Sequence, residues 1–175
     1  MNILTTPHPF LRHIAKPVLV WNKKIAAEIT EMSDILTNAR DPEGIGLAAT
    51  QVGLDRRLFL INNGRSINIY LNPKIVSASP KMLSAKYKNP KKRFSEGCLS
   101  VPRLWGFVDR PYSIILEYQL PKTLTITHQN LSDKPAAYIQ HELDHLNGIL
   151  FTDRILEQKG IILKETAAGL EPVSI

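Results

Sequence analysis

DKPAAYIQHELDHLNG, residues 133–148, is the stretch from which the rest of the chain can be read. Ser132 or Asp133 can cap a helix, Pro135 is tolerated in its first turn, and Gly148 closes it. Inside it, His141-Glu142-Leu143-Asp144-His145 is an H-E-x-x-H. On a helix, positions i and i+4 share a face, so both imidazoles reach one metal ion. Glu142 follows the first His directly, close enough to handle a proton on a bound water. Ala136, Ala137, Tyr138 and Ile139 are mostly apolar, so this helix is expected to be buried. Two buried histidines without a metal need other partners. The plain alternative is two core or surface histidines spaced so by accident.

Two His ligands leave a tetrahedral ion short of a third protein ligand. One metalloprotease pattern, H-E-x-x-H-x-x-G-x-x-H, takes it six residues on. Gly148 fits that pattern, but its last position is Phe151, which cannot ligate. A distant Glu is another source. His8, His13 and His128 have no motif around them. Cys98, the single cysteine, does: Glu96-Gly97-Cys98-Leu99-Ser100. A lone intracellular Cys is most often a small buried hydrophobe. A thiolate with two imidazoles also makes a tight site for Zn or Fe(II), with one position open to water. Gly97 lets the backbone pass close to the metal or substrate.

Elsewhere, Ile25, Ile29, Met32 and Leu36 recur at helical spacing over 24–39, which predicts an amphipathic helix ended by Asp41-Pro42. The small, glycine-rich run 43–53 suits a loop or irregular strand. Strand-like runs follow at 57–62, 67–76, 107–120 and 124–129. A last helix is expected over about 153–168. Helix, several strands, helix predicts an α+β fold in one domain, residues 1–175.

At 175 residues the chain can bury a core without staples. One Cys excludes an internal disulfide, and no apolar run approaches membrane-spanning length. The first twenty residues mix His, Arg, Lys and three Pro, with no secretory apolar core, so a cytoplasmic protein with no membrane partner is expected. The net charge of +6 is local: residues 81–93 carry five Lys and one Arg with no acid, and the remaining 16 basic residues balance 16 acidic ones. Such a segment is a solvated loop or a contact for RNA or an acidic surface.

Three motifs stand in order: Gly44-Ile45-Gly46-Leu47-Ala48-Ala49-Thr50-Gln51, Glu96 to Ser100, and Gln140 to His145. Together, over about residues 3–155, they make the chain resemble peptide deformylase, the family that removes the formyl group from nascent N-formylmethionyl peptides. The resemblance implies antiparallel or mixed sheets around a central helix carrying the H-E-x-x-H. It implies Cys98, His141 and His145 as ligands of one divalent metal, Fe(II) first, with Ni, Co or Zn as substitutes. It implies that Glu142 moves the proton, and that the Gln51 amide and the Leu99 backbone N–H stabilise the oxyanion. The backbone at Gly44, Ile45, Gly46 and Gly97 is expected to meet the substrate. Tyr138 is expected near the pocket for the methionine side chain, with a core tyrosine as its plain reading. Arg110 is a candidate contact to the substrate backbone, with a structural salt bridge as its alternative.

Some family members dock on the ribosome through a basic C-terminal helix. The tail 156–175 carries two Lys against three Glu, so the ribosomal RNA contact is expected from 81–93 instead. An organellar member is also compatible with the motifs. Two other readings compete. A zinc peptidase built on the H-E-x-x-H needs a third ligand other than Cys98. A non-enzymatic RNA-binding protein with a structural metal needs a closed four-ligand site.

Overall fold

The computed structural model describes residues 1–40, 43–89 and 93–173. Helix α1 spans Lys23–Asn38, opened by the Asn22 side chain, which accepts from the Ile25 N–H at 3.0 Å. Its end is at Asn38, and the expected stop at Asp41-Pro42 lies outside the described residues. Strands β1 (Gly46–Ala48), β2 (Leu58–Asn62), β3 (Ile67–Ala78), β6 (Ser113–Gln119) and β7 (Ile126–Ser132) form one antiparallel sheet in the order β1-β2-β3-β6-β7. Between them lie a one-turn helix α2 (Leu83–Lys86) and strands β4 (Glu96–Cys98) and β5 (Val101–Gly106). The motif helix α3 covers Asp133–Leu146, and α4 covers Phe151–Glu157. The chain closes with β8 (Leu163–Thr166) and β9 (Gly169–Pro172), giving a second antiparallel sheet β4-β5-β8-β9.

Strand β2 is buried on both faces of the five-stranded sheet. Successive strand residues point to opposite sides. Leu58 and Leu60 pack with Ile25, Ile29, Met32 and Leu36 of α1, while Phe59 and Ile61 pack with Ala136, Ile139, Leu143 and Leu146 of α3. The run Leu58 to Ile61 is therefore continuously apolar rather than alternating. Ala136 and Ala137 are fully buried, and their small side chains let α3 lie close against the sheet. A third cluster, including Leu11, Cys98, Val101, Phe151 and Ile155, joins the second sheet to α4. Helix α3 thus sits between the two sheets. Gly148 ends it with φ +71, and a Cβ there would stand 2.4 Å from the Arg12 carbonyl oxygen.

Two expectations are corrected, and two strands appear where none was expected. The strand reading of 107–120 is too long: only Ser113–Gln119 joins the five-stranded sheet, because residues up to Pro111 carry the chain from one sheet to the other. Strands β4 and β5 carry no alternating apolar pattern and escaped the periodicity reading. The helix expected over 153–168 ends at Glu157, and the remainder is the hairpin β8–β9, whose Leu163 and Lys164 pair with Trp105 and Leu104 of β5. Gly160 and Gly169 interrupt helix formation there, and the open edge of β5 accepts the strand.

Candidate metal centre and catalytic cleft

Cys98 ends β4, and His141 and His145 lie one turn apart on α3, so the meeting of the second sheet with the central helix builds the site. One ligand atom from each of the three lies within 4.8 Å of the others, and all three residues are buried. The Cys98 Sγ stands 3.1 Å from His145 Nε2. A soft sulfur beside two imidazole nitrogens is a donor set suited to a single transition-metal ion. The geometry fits such an ion: three convergent donors, with no fourth Cys, His, Asp or Glu in the group among the described residues.

His141 is oriented by Glu96, whose Oε2 is 2.8 Å from Nδ1, which leaves Nε2 as the nitrogen that could face an ion. Glu96 is in turn held by Arg110 through two bonds of 2.6 and 2.9 Å. Burial alone would raise the Glu96 carboxyl, but the guanidinium brings it down to about 2. Arg110 also donates to Asp144 at 2.8 Å, and Arg154 donates to the same carboxylate at 2.7 Å. This places Arg110 under the site, buried and fully engaged, and not on the cleft wall. The substrate contact considered for it gives way to the structural ion pair.

Gln51 sits in a short 3-10 turn, Ala49–Val52, after β1. Its Oε1 accepts from the Ala48 N–H at 2.8 Å, which fixes the amide so that Nε2 faces Ser100 Oγ at 3.1 Å and Cys98 Sγ at 3.5 Å. Leu99 and Ser100 form the tight turn between β4 and β5. Glu142 is buried and its Oε2 has no hydrogen-bond partner. Burial pushes its carboxyl up to about 7. Gly46 faces it so closely that a Cβ there would stand 2.3 Å from Glu142 Oε1.

These groups border one cavity of about 250 Å³, lined among others by Ile45, Gly46, Gln51, Leu99, His141 and Glu142. Tyr138, Gly97 and Cys98 line it too, as do Glu43, Phe94, Ser95, Glu96 and Trp105. The structure therefore brings Gln51, Leu99, Glu142, Ile45, Gly46, Gly97, Tyr138 and the three candidate ligands to one place. Gly44 lies just outside, packed on the Leu36 carbonyl, where a Cβ would approach to 2.3 Å. Sequence reading assigned no role to Glu96, Asp144, Trp105 or Phe94. Glu96 and Asp144 stood inside the quoted motifs and could have been flagged as acidic neighbours of the ligands. The aromatics carried no such signal.

The family model described as Polypeptide deformylase matches residues 1–160. A peptide deformylase from Thermotoga neapolitana is 34% identical over 157 residues, covering 90% of this chain and 88% of that relative. One from Heliobacterium modesticaldum is 36% identical over 154 residues, covering 88% and 93%. The crystal structure of the Thermotoga maritima peptide deformylase superposes with a TM-score of 0.75 at 31% identity, covering 87% of this chain and 95% of that one. An Arabidopsis thaliana peptide deformylase 1B in complex with an inhibitor gives 0.77 at 34% identity, covering 90% and 83%.

Proposed function

The chain belongs to the polypeptide deformylase family and is a hydrolase that removes the formyl group from formylated nascent peptides, and on that premise we propose which residues do the work. Cys98, His141 and His145 hold one divalent ion, which we take to be Fe(II), with Ni, Co or Zn able to replace it. When bound, such an ion supplies a Lewis acid for the formyl carbonyl and acidifies a water molecule. Glu142 accepts the proton of the attacking water and passes it to the departing amine. A carboxyl raised to about 7 suits both directions of that transfer near neutral pH. The Gln51 Nε2–H and the Leu99 N–H donate to the oxygen on which charge develops. The bond from the Ala48 N–H to Oε1 holds the Gln51 amide in place, and Nε2 takes up that oxygen by giving up one of its present acceptors, Ser100 Oγ or Cys98 Sγ.

The peptide enters in extended form. β1 is the end strand of one sheet and β4 the end strand of the other, and both border the cavity. An extended chain can add to such edges through main-chain bonds at Ile45, Gly46 and Gly97, which accepts many sequences. The side chain of the first residue turns into the cavity beside Tyr138. We place the reaction in the cytoplasm, where formylated chains leave the ribosome. Lys81 and Lys88 are the described lysines of the basic segment left for ribosomal RNA, because Lys86 is paired with Asp133.

The observation that carries this reading is the convergence of three donor atoms within 4.8 Å beside a buried carboxylate with an unpartnered oxygen. Replacing Cys98 by Ala tests it through metal content. Loss of the ion from otherwise folded protein is expected. An ion retained at full stoichiometry would point to a third ligand other than Cys98 and to a zinc-peptidase site.

A further inference from the structure

The basic segment does more in the structure than expose charge. Its Tyr87 Oη donates to Asp133 Oδ1 at 2.6 Å, and Lys86 bonds the other oxygen of the same carboxylate. Asp133 is the first residue of α3, so the segment is fastened to the helix that carries the metal site. The Tyr87 ring meets Phe94 edge-on at 6.4 Å, and Phe94 meets Tyr138 edge-on at 6.3 Å. Arg93 Nε donates to the Tyr87 carbonyl at 3.1 Å, tying the two ends of this arrangement together. Phe94 and Tyr138 both line the cleft cavity. A continuous row of rings thus runs from the Asp133 carboxylate to the wall of the catalytic cleft.

We propose that Phe94 and Tyr138 are the specificity-determining walls of the side-chain pocket, selecting a thioether, and that Tyr87, held by Asp133, positions Phe94 against Tyr138. The proposal rests on the reading of this cleft as the deformylation site. Two aromatic walls meeting edge-on give a flexible, polarisable sulfur a favourable partner, with the sulfur about 5 Å from a ring. A methylene of similar size gains no such contact, so apolar burial alone would not separate methionine from norleucine. An aliphatic wall would accept both equally. The rings, and the anchoring that holds them, therefore convert a merely apolar pocket into one that reads sulfur.

The test measures kcat/KM for a short formyl-methionyl peptide and for the same peptide with formyl-norleucine. Metal-loaded wild type is compared with Phe94→Leu, Tyr138→Leu and Tyr87→Phe. Wild type is expected to prefer methionine roughly 2- to 10-fold. Each leucine variant is expected to bring that ratio to at most half its wild-type value. Tyr87→Phe keeps the ring but loses the bond to Asp133; it should raise KM for the methionine peptide more than it lowers kcat, and reduce the ratio in part. A ratio of one in wild type, or an unchanged ratio in both leucine variants, overturns the proposal. If the leucine variants do not fold, Tyr87→Phe with wild-type KM and wild-type ratio overturns it instead. No formate from either peptide with metal-loaded wild type would refute the deformylation-site reading itself, whereas formate release with a flat ratio refutes only the ring walls.

Discussion

Gly46 and Arg110 show how single residues set the site. Gly46 has no room for a side chain, because a Cβ would press on Glu142 at 2.3 Å. Gly46→Ala is therefore expected to shift the carboxylate and lower kcat roughly 10- to 100-fold while metal content stays at wild-type level, since a displacement near 1 Å costs about that much. Loss of metal together with activity would contradict it. Arg110 is buried between Glu96 and Asp144. Arg110→Leu leaves both carboxylates without that partner inside the protein, and about 3–5 kcal/mol of stability should be lost, read from a denaturant midpoint. A loss below about 1 kcal/mol would mean that the pair carries little. The Cys-His-His group that could hold a metal was legible in the sequence because metal chemistry restricts residue type and spacing. The role of Arg110 was not, since an Arg reads the same on a cleft wall as beneath one.

At the scale of elements, α1 was legible because one buried face imposes a 3.6-residue rhythm over several turns, and α3 because of its start and stop residues and its i, i+4 histidines. The three-residue strands β1 and β4 are too short to show any period, though they supply Gly46 and Cys98. The C-terminal hairpin was misread because its pairing with β5 is a tertiary choice, made by an open sheet edge 60 residues away along the chain. That hairpin also holds a residue of the cleft wall: Trp105, which lines the cavity and packs over Gly97, donates through Nε1 to Glu165 Oε2 at 3.5 Å. Removing residues 159–175 should expose the edge of β5, giving self-association in light scattering and a red-shifted tryptophan emission. A monomer with unchanged emission would show that β8 neither covers the edge nor shields Trp105.

For the molecule as a whole, charge is concentrated where it is partly used. The excess of six positive charges resides in 81–93, yet Lys86 is paired with Asp133, and Lys81 and Arg93 lie 4.7 Å from the ring centroids of Tyr112 and Phe107. Residues 90–92 of that segment lie outside the described residues. Neutralising Lys81 and Lys88 is expected to weaken ribosome binding with no change on a short formyl peptide; unchanged binding would remove the RNA contact from the account. Acid stability follows the same pairs. Burial opposes ionisation of Asp133 and Asp153, but Lys86 with Tyr87 and Arg12 hold their carboxyls below the ordinary range. Groups with lowered folded pKa add stability above their unfolded pKa and lose it as pH falls through the folded one. The denaturant midpoint should therefore fall below about pH 4, less steeply in a Lys86→Met, Arg12→Met variant. Equal slopes in the two proteins would contradict this source of acid sensitivity. The central claim, that a buried carboxylate beside a Cys-His-His metal centre performs deformylation, is tested most directly by formate release from a short formyl-methionyl peptide, with protein purified without oxygen and compared with Glu142→Ala at equal metal content. The account predicts turnover by wild type and a fall of about 10²- to 10⁴-fold in the variant. Equal rates in the two proteins would contradict it.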